Sequence, residues 1–171
     1  MKNLAPFLFV ALLGCGGGDP PAREPRVHPL AQAMVDGTNP EREELIALVI
    51  GGATYEVEVA GDAYGTQLGL MYRRNLRENE GMWFEFPDQD FLRFWMKNTP
   101  SPLSIAYVDS KGVIANIEDM VPFDESTVPS KRKVKYAWEM PRGWFKQKGI
   151  KAGDTIRIGK KKINPKYKPP E

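Results

Sequence analysis

Histidine and cysteine, which often carry acid–base, nucleophilic and metal chemistry, occur once each in the 171 residues, as His28 and Cys15. Neither residue type occurs from Glu43 onward. A Ser-His-Asp triad, a Cys-His pair, a thiol redox site and a zinc site with nitrogen or sulfur ligands are therefore excluded from that part of the chain. Gly-x-Gly-x-x-Gly and Walker loops are also missing, so the sequence predicts no cofactor.

The remaining ligand types do not predict a metal site. Methionines between Met71 and Met140 are widely scattered, whereas Cu(I) sites need clustered thioethers, so we expect these side chains to pack in a core. The run Asp88-Gln89-Asp90 lacks the glycine and the further oxygen ligands of a calcium loop. Carboxylate chemistry, lysine chemistry and noncatalytic binding remain.

The segment Leu92–Asn98 carries the strongest indication of a binding surface. As a β-strand it would place Arg93, Trp95 and Lys97 on one face and apolar residues on the other. An indole between two cations can bind an anionic or sugar-like ligand, and the polar residues that follow would add contacts. The alternative is that Trp95 packs as part of the structure while the cations are solvated.

Glu139 is the acidic residue with the most unusual setting, because it lies between Trp138 and Met140 in an apolar run. Burial there should perturb its pKa, and we expect a cation such as Arg73 or Lys97 to neutralise it. The alternative is a glycosidase-like pair of carboxylates, with Glu85, Asp109, Glu118 and Asp119 as further candidates. The predicted ligand surface comprises Arg73, Arg93, Trp95, Lys97, Asn98, Thr99 and Glu139, and no catalytic residue is assigned.

Composition indicates one globular domain. Hydrophobic residues make up 42% and charged residues 27% of the chain, which excludes wholesale disorder. The 24 basic and 22 acidic residues leave a net charge of +2, too small to indicate a dedicated nucleic-acid binder. The composition does not predict an oligomeric state.

The N-terminus has the pattern of an export signal. Lys2 precedes the apolar run Leu4–Leu13, which is too short to span a bilayer but suits the core of a signal peptide. The ending Leu12-Leu13-Gly14-Cys15 resembles the lipobox of bacterial lipoproteins, in which the cysteine is acylated after cleavage before it. Gly16 then favours an outer membrane location facing the periplasm if the cell is Gram-negative. An ordinary signal peptide or a short buried helix is the alternative.

Four regions follow from these patterns: a signal peptide over 1–14, a lipidated cysteine and flexible linker over 15–42, a β-rich domain over 43–159 and a basic tail over 160–171. Glycine and proline dominate the linker, where we expect His28 to be solvated. The tail is interpreted as a frayed, solvated terminus, or as weakly attracted to anionic lipid or polymer surfaces.

Short alternating runs predict seven or eight strands after Glu43. Two of them, 45–50 and 54–60, flank Gly51-Gly52-Ala53 and predict a hairpin. Asp62 predicts a capped helix that reaches Met71, and Trp144–Lys148 predicts another short helix. The expected fold is mainly β: a single small antiparallel β-sandwich or barrel, jelly-roll-like, with one or two short helices.

Several motifs then occur in a characteristic order: Gly69-Leu70-Met71-Tyr72-Arg73, Gly81-Met82-Trp83-Phe84-Glu85-Phe86, Phe94-Trp95-Met96-Lys97-Asn98-Thr99 with Pro102-Leu103, and Trp138-Glu139-Met140-Pro141 through to Gly153-Asp154. This order resembles the domain of unknown function 192 family from about Val57 to Ile158. The resemblance implies a compact, mostly β domain that is often carried on exported proteins and has no established activity.

Two departures from the family pattern reduce the expectation of catalysis. The family usually has an acidic-basic pair where this chain has Tyr64-Gly65-Thr66-Gln67, and an aspartate after Pro-Leu where it has Ser104. We therefore predict an exported, membrane-anchored lipoprotein of the bacterial envelope whose domain is a noncatalytic binding or accessory module. The alternatives are a carboxylate-dependent hydrolase acting on envelope glycans and a structural scaffold.

Overall fold

The computed structural model describes Gly37 and residues 40–168, so Cys15, His28 and the predicted signal peptide lie outside the described residues. The strands are β1 (Glu44–Ile50), β2 (Ala53–Ala60), β3 (Met82–Asp90), β4 (Arg93–Phe94), β5 (Leu103–Val108), β6 (Ile114–Met120), β7 (Val128–Pro129), β8 (Val134–Pro141) and β9 (Arg157–Ile163), and the helices are α1 (Ala63–Leu68) and α2 (Trp144–Gln147). Within these described ranges, neither helix is long and apolar enough to cross a bilayer. The prediction of a mainly β fold with one or two short helices is confirmed.

One curled, half-barrel sheet contains seven strands in the order β6-β5-β8-β3-β2-β1-β9, while β4 and β7 form a separate two-stranded sheet. The pairing of β2 with β3 is parallel, and the other pairings between these strands are antiparallel. The strand pattern did not predict the parallel pair. It forms because residues 61–81, which include α1, carry the chain back to the end of the sheet at which β2 begins.

Two hydrophobic cores cover the two faces of this sheet. Because neighbouring residues of a strand point to opposite faces, Trp83 and Trp138 enter one core, and Phe84 and Ala137 enter the other. The first core is rich in tryptophan and also holds Trp144 of α2. On β8 the alternation places Glu139 on the same face as Ala137, against the second core.

Local signals near the start of the domain act as the sequence predicts. The predicted hairpin joins β1 to β2, and both Gly51 and Gly52 have positive φ angles (60° and 81°), which glycine adopts without strain. Asp62 caps α1 by accepting a hydrogen bond from the Gly65 N–H at 2.7 Å. The helix ends at Leu68 rather than Met71, because Gly69 turns the chain with a φ of 47°.

The segment predicted as a strand over Leu92–Asn98 forms only the two-residue β4. Its backbone leaves the extended form where the Thr99 N–H bonds the Met96 carbonyl at 3.0 Å and Asn98 adopts a φ of 54°. The alternation of faces nevertheless persists: Met96 is 1% exposed and Trp95 is 41% exposed.

The basic residues 160–162, which the sequence assigned to a frayed tail, belong to β9. Lys161 pairs with Ile46 of β1, and its ammonium contacts Glu85 at 2.6 Å and Glu44 at 3.2 Å. Lys162 contacts Glu56 at 2.6 Å. The basic run is therefore ordered by strand pairing and by carboxylates on neighbouring strands.

Candidate functional site

A cavity of about 160 Å³ opens beside the second core, between α1, the turn that follows it, β3, β4 and β8. Its lining is apolar and aromatic except for a few polar side chains. The lining residues are Thr66, Gln67, Leu68, Gly69, Leu70, Met71, Phe84, Phe86, Leu92, Arg93, Phe94, Trp95, Thr99 and Glu139. Small-molecule sites have this character: a mostly apolar concave surface with a few polar groups.

The turn after α1 leaves room for the cavity. A side chain at Gly69 would place its Cβ 3.3 Å from the ring of Phe84 and 4.0 Å from Oε2 of Glu139, so glycine keeps this space open as well as allowing the positive φ. The turn is fixed from outside, because Nη2 of Arg42 donates to the Gly69 carbonyl at 3.0 Å.

Glu139 is the acidic group of the cavity. It is 4% exposed, and it stands on β8 between Met82 of β3 and Ile105 of β5. Within residues 40–168, no hydrogen bond or ion pair to its carboxylate is found, and burial alone raises its pKa to about 8. The expected perturbation is confirmed, but the expected neutralisation by Arg73 or Lys97 is wrong.

Aromatic rings form much of the wall. Phe94 packs edge-on against Phe84, with ring centroids 4.9 Å apart, and more loosely against Phe86 at 6.3 Å. Trp95 and Arg93 both line the cavity and are both exposed, so they form its solvent-facing rim. The Lys97 ammonium lies 5.1 Å from the Trp95 ring centroid, within the range of a cation–π contact.

The cavity thus brings together Arg93, Trp95, Thr99 and Glu139 of the predicted surface. Lys97 and Asn98 lie just outside its lining: Lys97 reaches Glu125 at 3.8 Å, and the Asn98 side-chain amide donates to the Tyr72 hydroxyl at 2.9 Å.

Arg73 belongs to a different cluster. Its guanidinium donates to both carboxylate oxygens of Glu58, at 3.0 and 2.7 Å, and to the Pro40 carbonyl at 2.7 Å. Burial and the neighbouring Glu41 carboxyl raise the pKa of Glu58 to about 7, against the effect of Arg73. Burial also lowers the pKa of Arg42 to about 10. This buried ionic cluster was not predicted, because its members come from separate loops and strands.

The geometry offers no second acid beside Glu139. Glu139 is the only carboxylate among the described lining residues. The other candidate acids have partners elsewhere: Glu85 contacts Lys161, Asp109 contacts Arg132 at 3.2 Å, Glu118 contacts Lys131 at 3.1 Å, and Asp119 accepts from Ser104. In the described part of the chain, no group of three potential metal-ligating residues occurs.

Residues 46–158 match the DUF192 family model, which is described as "Uncharacterized ACR". The chain belongs to this family. The chain is similar to a protein from Sinorhizobium meliloti 1021 whose crystal structure is described as that of a candidate transcription regulator. The two sequences are 32% identical and the structures have a TM-score of 0.64. The match covers 70% of this chain and 96% of the other. A protein of unknown function from Novosphingobium aromaticivorans DSM 12444 is 30% identical, with a TM-score of 0.61 and coverages of 66% and 83%. The search of curated proteins finds no match.

In this DUF192 domain the two departures from the family pattern have definite positions. Ser104 is buried; its hydroxyl donates to Oδ1 of Asp119 at 2.5 Å and accepts from the Gly143 N–H at 2.8 Å. Through these two hydrogen bonds Ser104 links β5 to β6 and to the start of α2, and it does not line the cavity. The other departure is the run Tyr64-Gly65-Thr66-Gln67, of which Thr66 and Gln67 line the cavity as neutral polar groups.

Sequence reasoning missed most of the apolar lining. Leu70, Phe84, Phe86 and Leu92 come from three separate segments, and each looks like an ordinary core residue in its own run. The available signal was Glu139 itself: a carboxyl in an apolar strand needs either a buried partner or a cavity.

Proposed function

We propose that this protein is an exported, lipid-anchored binding module of the bacterial envelope, and that its noncatalytic ligand site is the cavity beside Glu139. The observation that carries the binding proposal is an ionisable side chain, 4% exposed and without a partner in the described chain, at the wall of an aromatic cavity. Burying such a group without a hydrogen bond costs free energy, so a fold that keeps it is better explained by a ligand than by stability.

The anchor proposal depends on the N-terminal sequence alone. Lys2, the apolar run Leu4–Leu13 and the Gly14-Cys15 junction support cleavage before Cys15 and its acylation. Stable anchoring needs more than one acyl chain, which mature bacterial lipoproteins carry at this residue. We expect globomycin to block processing and Cys15→Ser to release the protein from membranes. A wild-type protein recovered entirely in the soluble fraction would contradict the anchor.

The alternatives receive less support from the site. A glycosidase-like reaction needs two carboxylates flanking the bond, and Glu139 lines the described cavity without another acid. A scaffold role would require no ligand, and it becomes the preferred reading if the cavity proves unable to bind small molecules.

The binding proposal is tested with a panel of neutral, cationic and anionic compounds of up to about ten heavy atoms, titrated into the labelled protein and followed by NMR. At least one compound should shift signals of residues around the cavity. Trp95→Ala, which removes part of the rim, should weaken that binding at least tenfold. Phe123→Ala is the matched control, because Phe123 is also an exposed aromatic residue (61%) but does not line the cavity. Equal losses in both variants, or no binding at all, would overturn the proposal.

A further inference from the structure

We propose that the ligand is a small primary ammonium compound, best a zwitterion, whose ammonium group enters the aromatic cavity and ion-pairs with the Glu139 carboxylate. This inference rests on the proposed binding function and specifies its ligand class. It depends on three features of the cavity: its lone acid, its aromatic wall and its basic rim.

The lone acid defines the charge that the cavity can accept. Among the described lining residues, Glu139 and Arg93 are the charged ones, and Arg93 is at the exposed rim. An ionised carboxylate only accepts hydrogen bonds, so it needs N–H or O–H donors. None reaches it from the described chain, and a primary ammonium group brings three donors together with the opposite charge.

The aromatic wall favours a cation over a neutral or anionic group. Phe84, Phe86, Phe94 and Trp95 all line the cavity, and the negative faces of aromatic rings attract ammonium groups. The Trp95 ring already has one ammonium group near it, that of Lys97, at 5.1 Å from the ring centroid. An anion would meet these rings and the Glu139 carboxylate, and both disfavour it.

Size and rim restrict the ligand further. The cavity volume of about 160 Å³ is close to that of a cavity of about 150 Å³ that admits benzene, so a ligand of roughly six to eight heavy atoms fits. Arg93 is exposed at the rim, and no ion pair of its guanidinium occurs in the described structure. We expect a carboxylate on the ligand to pair with this guanidinium at the rim while the ammonium group lies inside the cavity.

Binding also requires a proton balance. The pKa of Glu139 is raised to about 8, so at pH 7 its carboxyl is mostly protonated. On binding, the carboxyl O–H proton leaves to solvent, the carboxylate forms, and the ammonium keeps its own protons.

The ionisable groups facing Glu139 are Arg93 on β4, Tyr107 on β5, whose pKa is raised by burial, and Glu58 on β2, across Met82. The lining residues of α1 are Thr66, Gln67 and Leu68, and none of them titrates. Affinity should therefore increase about tenfold per pH unit up to about pH 8 and then level off.

The test compares four probes of one chain length: n-butylammonium, γ-aminobutyrate, n-butanol and butyrate. Each is titrated into the purified protein, as processed by the cell and in a nonionic detergent, between pH 6 and 9. We expect the two ammonium probes to bind at least tenfold more tightly than butanol or butyrate at pH 9, and to lose that advantage toward pH 6.

Substitutions at Glu139 and Arg93 test which residue binds the ammonium group of the probe and which binds its carboxylate. At pH 9, Glu139→Gln should weaken butylammonium binding at least tenfold and butanol binding far less, whereas Glu85→Gln, on the neighbouring strand but outside the cavity, should change neither. Arg93→Gln should weaken the binding of γ-aminobutyrate severalfold and should not weaken that of butylammonium, because only γ-aminobutyrate carries a carboxylate for the guanidinium. If Glu139→Gln does not fold, the pH series on the wild type still decides.

The outcomes separate this inference from the proposed function. If butanol or butyrate binds as tightly as butylammonium at every pH, the cavity binds ligands but the ammonium assignment is wrong. If only butylammonium binds, and γ-aminobutyrate does not, the zwitterion part is wrong. If no probe or panel compound binds, the proposed function fails, and this inference fails with it.

Discussion

Glu58 and Glu139 are two buried carboxylates in one row of the sheet, separated by Met82: Glu58 of β2 pairs with Met82 of β3, and Met82 pairs with Glu139 of β8. They are 7% and 4% exposed, and burial raises the pKa of both. Both acids line a cavity, but Arg73 donates to both oxygens of Glu58, whereas no partner in the described chain reaches the carboxylate of Glu139. Two acids that are buried to a similar extent therefore differ in their partners: the segment after α1 places a guanidinium beside Glu58 and none beside Glu139.

The comparison indicates which acid serves the fold and which serves a ligand. The Arg73–Glu58 pair links the segment after α1 to β2, so its partners hold two parts of the backbone together. The side chain of Glu139, by contrast, links no two parts of the described backbone, because its carboxylate has no hydrogen-bond or ion-pair partner there. The ionised form of Glu139 destabilises the fold, and its carboxyl group faces an accessible cavity. Residues with perturbed pKa values in clefts are typical of functional sites.

The largest effect should come from removing the charge of Glu139. The wild type holds a proton on Glu139 up to about pH 8, whereas the unfolded chain loses it near 4.5, so wild-type stability falls as pH rises through this window. The limit is about 1.4 kcal/mol per pH unit. Glu139→Gln should lack this component and should exceed the wild type in stability by a few kcal/mol at pH 9.

Urea unfolding of both proteins from pH 4 to 9 measures this difference. The two curves should meet near pH 4, where the wild-type carboxyl is protonated in both states. A variant that is less stable than the wild type at pH 9 would show that the Glu139 carboxylate has a stabilising partner, and the contrast with Glu58 would then fail.

Removing the partner of Glu58 should have the next largest effect. Arg73→Met keeps most of the aliphatic stem but leaves the buried Glu58 carboxylate without its ion-pair partner, a change that costs about 3 kcal/mol at pH 8. Arg77→Met is the control, because Arg77 forms an exposed pair with Glu80 and its loss should lower the free energy of unfolding by less than about 1 kcal/mol.

A double variant then isolates the charge. Glu58→Gln in the Arg73→Met background should restore part of the lost stability, because the unpaired negative charge is gone. If both double and single variants are equally unstable, Arg73 acts through its hydrogen bond to the Pro40 carbonyl rather than through Glu58.

The fold was largely predictable because its signals are local. Alternation in 45–50 and 54–60, the glycines between them, and Asp62 before α1 each act within a few residues, and each predicted the observed element. Alternation also predicted that Trp95 points outward although the strand there is short, because its neighbours Phe94 and Met96 still pack against the second core.

The site was only partly predictable because its geometry depends on long connections. The parallel pairing of β2 with β3 follows from the course of residues 61–81, and this course brings Gly69 over Phe84 and Arg73 onto Glu58. No sequence pattern within residues 61–81, or within the strands that they contact, predicts the contact of Gly69 with Phe84 or that of Arg73 with Glu58. The sequence therefore identified Glu139 as unusual but gave it the wrong partner.

A designed partner should make Glu139 behave more like Glu58. Thr66 lines the cavity on α1, one turn before Gly69, so Thr66→Lys places an ammonium on the side of the helix that faces Glu139. The pKa of Glu139 should fall, and the pH dependence of stability should become shallower than in the wild type. Ala63→Lys, on the same helix but outside the cavity, is the control.

This variant should also bind n-butylammonium more weakly, because its own ammonium occupies the place of the ligand. NMR titration of the Glu139 carboxyl and the butylammonium titration measure the two effects on one sample. An unchanged pKa together with an unchanged affinity would mean that residue 66 does not reach the acid.

The smallest effect should come from Glu41, which shares a hydrogen bond with Glu58. This contact, after burial, raises the pKa of Glu58, and it lowers the pKa of Glu41, so Glu41 loses its proton at a lower pH than Glu58 does. Glu41→Ala removes both the contact and the negative charge, and the pKa of Glu58 should fall below about 7 while that of Glu139 does not change. Carboxyl NMR titration of the two glutamates measures this directly. A matching decrease at Glu139 would show that the two acids titrate as one system across Met82, and their separation into a structural and a ligand-binding acid would not hold.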